Sequence, residues 1–359
     1  MNQMGDDSLQ RRVATLISSA PPTRAVNGNG AFALGTSLGA IRKRNEDRAI
    51  VMFAAYADSP EKSFCAAVLS DGMGGLPHGD EAAVFAVSVF VTRILRNPRL
   101  PMTERIRIAA LAANDVIHEA YRGRAGATLS AALVDPEQRF IGVNVGDSRI
   151  YGITSAHELL QLSQDDTLAG VLGQANRATP DQHKLVQYLG MGEGLEPHLI
   201  TSPRPLESIL LTTDGIHNAA TELFGRVVRR SVEGSTELIS RLLTLSDLAG
   251  GRDNSTAVSI ATKLDPDFAA AYDGLKLSFW SVSHQVEIWI QALAAEEPNS
   301  SDTSEASGST PAATTGSSVA LKKRRGKGKK GQDKSSKGDA RLPLEEDRPV
   351  LDVIFPKDE

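Results

Sequence analysis

The residues predict an α+β domain, and three observations carry that expectation. Two short apolar runs, Ala49-Ile50-Val51-Met52-Phe53 and Phe64-Cys65-Ala66-Ala67-Val68-Leu69, have the length and composition of buried strands. Two longer stretches then read as helices, one from Gly79 to about Leu95 and one from Thr103 to about Ala120. From Thr128 to Ile153 the apolar period drops to two. Strand blocks separated by a pair of helices suggest segregated rather than strictly alternating elements.

Residues 1–30 are polar, with a Pro21-Pro22 break and Asn27-Gly28-Asn29-Gly30, and read as a partly mobile lead-in. The first helix has Asp80 as its expected cap, with Glu81 in its first turn. Its alanines and valines suggest close packing on a sheet. Pro98 and Pro101 end it. Thr103 is the expected cap of the second helix, where Ile106, Ala109, Ala113, Val116, Ile117 and Ala120 share one face. Thr128 to Val134, a turn at Asp135-Pro136, and Arg139 to Val145 predict a hairpin. Gly146-Asp147-Ser148 is a further turn before a strand from Arg149 to Ile153. Residues 164–200 are polar and glycine-containing, and read as an irregular insertion over the sheet edge. Ser208 to Thr213 and Ala257 to Ala261 are strands, with a helix around Leu238 to Leu245 capped by Ser235. Residues 31–264 thus form one expected domain.

Beyond Asp265 the composition changes. Leu275, Phe279, Val282, Val286, Trp289 and Leu293 repeat every three or four residues, which predicts an amphipathic helix within 265–297. Such a helix packs on its own domain or docks a partner. Residues 298–359 read as a disordered tail, with a basic cluster at 322–330 and an apolar segment at 349–356. The cluster is a solvated tail or a contact for an acidic partner or nucleic acid, and the apolar end is a short docking peptide.

Composition narrows the function. The chain has 359 residues, 41% of them hydrophobic, and a net charge of −5, so the chain as a whole is no general nucleic-acid binder. The single cysteine, Cys65, excludes an internal disulfide framework and fits a reducing compartment. No run reaches the ~18 apolar residues of a membrane span, and residues 1–27 lack a signal-peptide core. These features predict a soluble cytoplasmic protein.

The chemistry is carried by acidic spots that border strands: Asn45-Glu46-Asp47, Asp71-Gly72, Asp214-Gly215 and Asp253-Asn254. Clustered carboxylates repel and are costly to desolvate unless a cation joins them. Oxygen-only ligands favour Mg²⁺, Mn²⁺ or Ca²⁺ over zinc.

The motifs Arg42-Lys43-Arg44-Asn45-Glu46-Asp47, Asp71-Gly72-Met73-Gly74-Gly75, Gly126-Ala127-Thr128, Gly146-Asp147-Ser148-Arg149, Thr213-Asp214-Gly215 and Asp253-Asn254 stand in this order. In that order the chain resembles the bacterial metal-dependent Ser/Thr protein phosphatases, type 2C, over about residues 33–262. The resemblance implies a four-layer α-β-β-α sandwich of two packed antiparallel sheets flanked by helices. It implies a phosphoprotein phosphatase that hydrolyses phosphoserine or phosphothreonine through a hydroxide bridging two Mn²⁺ or Mg²⁺ ions. Asp71 would bridge both ions and the Gly72 carbonyl would complete one site, with Asp214 and Asp253 on the first ion and Glu46 on the second. Asp47 and Asn254 would orient these ligands, and Asp147 would hold a third ion. Arg42 would bind the substrate phosphate. The expected partners are a phosphorylated protein substrate and a counteracting Ser/Thr kinase.

Two departures stand out. Eukaryotic members place a histidine where Met73 stands, leaving the leaving group without an obvious acid. Bacterial members often have histidine at the position of Leu76, whereas here His78 lies two residues later and reads as a surface residue or cap; His217 reads likewise. Cys65 lies inside a strand and reads as core. Two other functions fit part of the pattern. One is a phosphoprotein-binding scaffold that uses the helix and tail. The other is a two-metal phosphodiesterase on nucleic acid, with 322–330 as its arm.

Overall fold

The computed structural model describes residues 3–18, 23–73, 76–172, 184–231, 236–264 and 274–290. Helix α1 (Gln3–Ser18) is followed by strands β1 (Arg24–Gly28), β2 (Phe32–Ser37), β3 (Arg48–Tyr56) and β4 (Phe64–Ser70). Helices α2 (Gly79–Ile94) and α3 (Met102–Tyr121) come next, then β5 (Leu129–Val134), β6 (Phe140–Val145), β7 (Arg149–Ile153) and β8 (Leu159–Gln161). A single turn, α4 (Leu168–Val171), precedes β9 (His198–Ile200) and β10 (Ser208–Thr212). The remainder comprises α5 (Asp214–His217), α6 (Thr221–Arg230), α7 (Thr236–Leu248), β11 (Ser255–Ala261), β12 (Leu275–Trp280) and β13 (Gln285–Ile290).

The strands form two sheets, in the orders β1-β2-β11-β10-β7-β8 and β13-β12-β3-β4-β5-β6-β9, with every pairing antiparallel. Side-chain alternation sorts the core into three zones. On β3, Val51 and Phe53 join Phe32, Leu69, Ile209 and Ile260 between the sheets. Ile50, Met52 and Ala54 of the same strand face the other way, into a zone with Val87, Phe90, Ile106 and Ile117 of α2 and α3. On the opposite side Leu210 and Ala257 meet Leu238, Ile239, Leu242 and Phe224 of α6 and α7. The layers are therefore α-β-β-α, as expected. Both faces of the central strands are covered, so β3 and β4 read as continuous apolar runs rather than as alternating ones. Cys65 is buried between the sheets, and burial pushes its thiol pKa up, which keeps it protonated.

The structure corrects several expectations. Residues 1–30 are not a polar lead-in throughout: 3–18 are helical, with Leu9, Val13, Leu16 and Ile17 buried against the α2 side of the core, and 24–28 are an edge strand. The segment expected as an amphipathic helix is the hairpin β12–β13. Its apolar residues fit either period: Leu275, Leu277 and Phe279 alternate on β12, and Val286, Ile288 and Ile290 alternate on β13. The turn at Ser281–His284, closed by Ser281 N to His284 O at 2.8 Å, decides for strands. β12 then pairs along β3 from Tyr56 to Val51 and completes that sheet. Trp280 reaches the inter-sheet core, 4.9 Å from the Phe32 ring and 5.3 Å from Phe53. The tail at 298–359, with 322–330 and 349–356, lies outside the described residues.

Caps also differ. His78, not Asp80, occupies the N-cap position of α2, and Pro101, not Thr103, that of α3. Asp80 and Glu81 lie in the first turn of α2, where the helix dipole favours them. Ser235 lies outside the described residues.

Leu277 is fully buried where the hairpin meets the core. Replacing it with alanine should cost about 2–5 kcal/mol of unfolding free energy, measured by urea denaturation. A cost near zero would mean that the hairpin does not belong to the cooperative core.

Candidate metal centre

The acidic spots converge where several strands end. β4 delivers Asp71, whose backbone N–H donates to Thr128 Oγ1 at 2.9 Å while Thr128 N donates back to Asp71 O at 2.8 Å. Gly72 N donates to Glu46 O at 3.2 Å, tying the Asp71 turn to the loop before β3. β10 delivers Asp214 at the start of α5, and the segment entering β11 delivers Asp253.

Hydrogen bonds lock these loops together. Thr213 Oγ1 donates to Asp47 Oδ2 at 3.0 Å and accepts from Thr256 N at 2.9 Å. Asn254 Oδ1 accepts from Glu46 N at 2.9 Å, and its amide donates to Leu38 O at 2.9 Å and Arg44 O at 3.0 Å. Asn45 Nδ2 donates to Thr36 Oγ1 at 2.7 Å, which in turn bonds Thr256 Oγ1 at 2.7 Å. Asn254 and Asp47 therefore each join two of the acidic loops. Thr213, Thr256 and Thr36 had been given no role from the sequence; only Thr213, inside the Thr-Asp-Gly motif, carried a signal.

Close backbone approach demands glycine at two turns. A Cβ on Gly72 would lie 2.3 Å from Gly79 O, and one on Gly215 would lie 1.9 Å from Asn254 O. Gly74 and Gly75 lie outside the described residues.

The electrostatics follow from crowding. Burial first, then the charges of Asp47, Asp214, Asp147 and Asp253, hold the Asp71 carboxyl well above the ordinary range. Burial pushes Asp47 and Asp147 up to about 7, and Asp214 up to about 6, with neighbouring aspartates adding to each. Glu46 is raised mainly by burial. As whole residues Asp71, Asp147 and Asp214 retain some solvent contact, while Asp47 is buried and its Oδ1 has no hydrogen-bond partner. Among the described residues, no three carboxylate, imidazole or thiol groups are drawn close enough to grip one ion. The carboxylates act on one another through space instead. Raised carboxyls, an orphaned buried oxygen and an all-oxygen donor set fit a hard divalent cation.

Arg42 faces the same centre. Its Nη2 donates to Asp253 Oδ2 at 2.8 Å, a partly exposed pair that raises the guanidinium pKa. The sequence had separated these two residues into a phosphate binder and a metal ligand. Beside them, Arg149 pairs with Asp165 at 2.7 Å, with both side chains largely buried. Asp166 accepts from Gly146 N at 2.9 Å and meets His198 Nε2 at 2.8 Å, fastening the 164–200 segment to the Asp147 turn. His217 is buried, bonded through Nδ1 to Thr212 Oγ1 at 2.9 Å, with its pKa held well down by burial.

Comparison with known proteins identifies the family. The family model for protein phosphatase 2C matches residues 43–244. The serine/threonine phosphatase stp of Listeria monocytogenes is 28% identical over 246 residues, covering 64% of this chain and 94% of that protein. The catalytic domain of the serine/threonine protein phosphatase PstP, solved in complex with two manganese ions, superposes with a TM-score of 0.52 at 26% identity, covering 67% of this chain and 99% of that one. The Mycobacterium tuberculosis phosphatase PstP/Ppp gives the same score and identity over 66% and 98%. The chain belongs to the protein phosphatase 2C family. It is a metal-dependent protein serine/threonine phosphatase.

The crowded carboxylates set a pH dependence. Asp47 and Asp147 titrate near 7 in the fold but near about 3.9 in an unfolded chain. The metal-free fold therefore takes up protons as pH falls through about 7, and its stability rises in that direction. Its melting temperature should increase from about pH 8.5 to about pH 6.5, while the stabilisation by Mn²⁺ shrinks over the same interval because protons compete for the ligands. Asp71→Asn should raise the metal-free melting temperature and abolish the Mn²⁺ shift. A melting temperature that falls towards pH 6.5 would contradict the crowding.

Proposed function

We propose that Glu46, Asp71 with the Gly72 carbonyl, Asp214 and Asp253 hold two divalent ions, Mn²⁺ or Mg²⁺, and that Asp147 holds a weaker third. The observation that carries this reading is the joining of the Glu46, Asp214 and Asp253 loops around Asp71 by Asp47, Thr213 and Asn254. When bound, the ions supply Lewis acidity and a water acidified enough to act as a nucleophile at neutral pH.

The chain's own residues then have separate tasks. Asp47 and Asn254 hold the loops that carry the ligands in register. Arg42 binds the phosphoryl oxygens of the substrate, where its planar fork makes two charge-assisted bonds. Its guanidinium is already at the centre, paired to Asp253. With Asp253 serving as a metal ligand, Arg42 would be free to bind phosphate. Both steps replace one ionic partner with another of the same sign, so neither leaves a charge unpaired.

The substrate is a phosphoserine or phosphothreonine on a protein, which implies an opposing Ser/Thr kinase. A cytoplasmic setting is supported by the lone buried cysteine. Among the described residues no helix is long and apolar enough to cross a membrane.

Phosphate release from a phosphothreonine peptide should require Mn²⁺ or Mg²⁺ and stop with EDTA. Asp214→Asn should lose it. Arg42→Ala should raise KM for the peptide by about ten- to a hundredfold, the worth of charge-assisted bonds to phosphate. Binding of the phosphopeptide with no turnover under any metal would favour a scaffold instead.

A further inference from the structure

A carboxylate holds an ion only as firmly as the backbone behind it is held. Asp71 directly follows β4 and Asp214 opens α5, so regular structure positions both. Glu46 has no such support, because it lies in the irregular stretch between β2 and β3. The side chain that braces this stretch is Arg48, the first residue of β3.

Arg48 is a cation in an unusual place. It is only 8% exposed, and on the sheet it stands opposite Ser70, the residue before Asp71. An arginine stays charged in a protein, and a buried charge without an ion pair is costly. Asp80, Asp47 and Glu46 act on this charge only through space, and Nε has no hydrogen-bond partner. What Arg48 binds is backbone. Nη1 donates to Asn45 O at 2.7 Å and to Asp47 O at 2.8 Å. It thereby ties the peptide plane before Glu46 to the plane after Asp47. The plane between them is held from another direction, by Gly72 N donating to Glu46 O at 3.2 Å. Glu46 N donates to Asn254 Oδ1 at 2.9 Å, and Asp47 N to Asn45 Oδ1 at 3.0 Å. Peptide units are rigid, so fixing the planes on both sides of a residue fixes its φ and ψ and the direction of its Cα–Cβ bond. The directions of the Glu46 and Asp47 side chains are set in this way.

We propose that Arg48 is a positioning residue for the second metal ion, aiming the Glu46 carboxylate through the backbone on either side of it. The proposal rests on the reading of Glu46 as a ligand of that ion. Charge alone would act the other way, because a guanidinium repels a nearby divalent cation. The bracing of the backbone and the repulsion therefore have opposite signs, and substitutions separate them. Lysine keeps the charge but ends one bond short of Nη1. Methionine removes both the charge and the donors.

Binding of Mn²⁺ to the full-length protein, followed by the electron paramagnetic resonance of the free ion, tests this. The wild type should take up at least two ions. In Arg48→Lys one ion should bind about ten- to a hundredfold more weakly, the effect of losing a group that orients a ligand, while the other stays within about threefold of wild type. The ion that stays bound reports that the variant is folded. Glu46→Gln removes the carboxylate that Arg48 aims, so adding Arg48→Lys to it should change Mn²⁺ binding by less than about threefold. Arg48→Lys that binds both ions as the wild type does would overturn the proposal, and tighter binding in Arg48→Met would then show that charge alone acts. Equal weakening of both ions, or further weakening in the Glu46→Gln background, would overturn it as well, since either marks a general structural role. A wild type that takes up fewer than two ions would refute the two-ion reading itself, and with it the role of Arg48.

Discussion

Mutual repulsion among carboxylates at the ends of two sheets is the constraint on which the rest of the structure depends. The carboxyls of Asp47, Asp71, Asp147 and Asp214 are all pushed up by burial and by neighbouring aspartates. A fold that assembles such a group loses stability at the spot unless protons or cations neutralise it. The remedy built into the chain is rigidity. Thr213, Thr256 and Asn254 spend their hydrogen bonds on holding the acidic loops in register, and Gly72 and Gly215 let backbones approach where any side chain would collide. Repulsion is thereby stored rather than relieved by movement, and a divalent cation is the natural acceptor of it.

The four-layer architecture makes that storage possible. Each central strand is clamped on one face by the opposite sheet and on the other by helices. Burial of this extent stabilises the strands far more than one polar end can destabilise them. The hairpin β12–β13 extends the same logic by covering the edge of β3, whose first residues follow directly on Glu46 and Asp47. An uncovered strand there would be a site for fraying or for pairing with another chain. Arg42 supplies a local counter-charge at Asp253.

Much of this was legible in the residues. The strand runs, the α2 and α3 helices and the 128–145 hairpin follow from period and composition, because burial writes itself into hydrophobic pattern. The acidic motifs were legible because glycine beside aspartate has a backbone reason, which the Gly72 and Gly215 contacts now supply. The hairpin at 275–290 was not, since Leu275, Phe279, Val282, Val286 and Trp289 satisfy a helical spacing while Leu275, Leu277 and Phe279, then Val286, Ile288 and Ile290, alternate as two strands. The turn at Ser281–His284 and the pairing with β3, a contact distant in sequence, separate the two. Helix α1 was hidden by its polar face and by the glycines and prolines that follow it. The caps of α2 and α3 escaped because they use backbone geometry at His78 and Pro101 instead of a side-chain acceptor. The Arg42–Asp253 pair joins residues whose partnership no local pattern names.

The central claim is that this crowding exists to hold two ions through one shared aspartate. Diffraction at the manganese absorption edge, from crystals of the full chain grown with Mn²⁺, tests it most directly. Two anomalous peaks should appear, both within about 2.0–2.6 Å of the Asp71 carboxylate, with Asp253 no longer bound to Arg42. Peaks absent from Asp71, or an Arg42–Asp253 pair intact in fully loaded protein, would contradict the account.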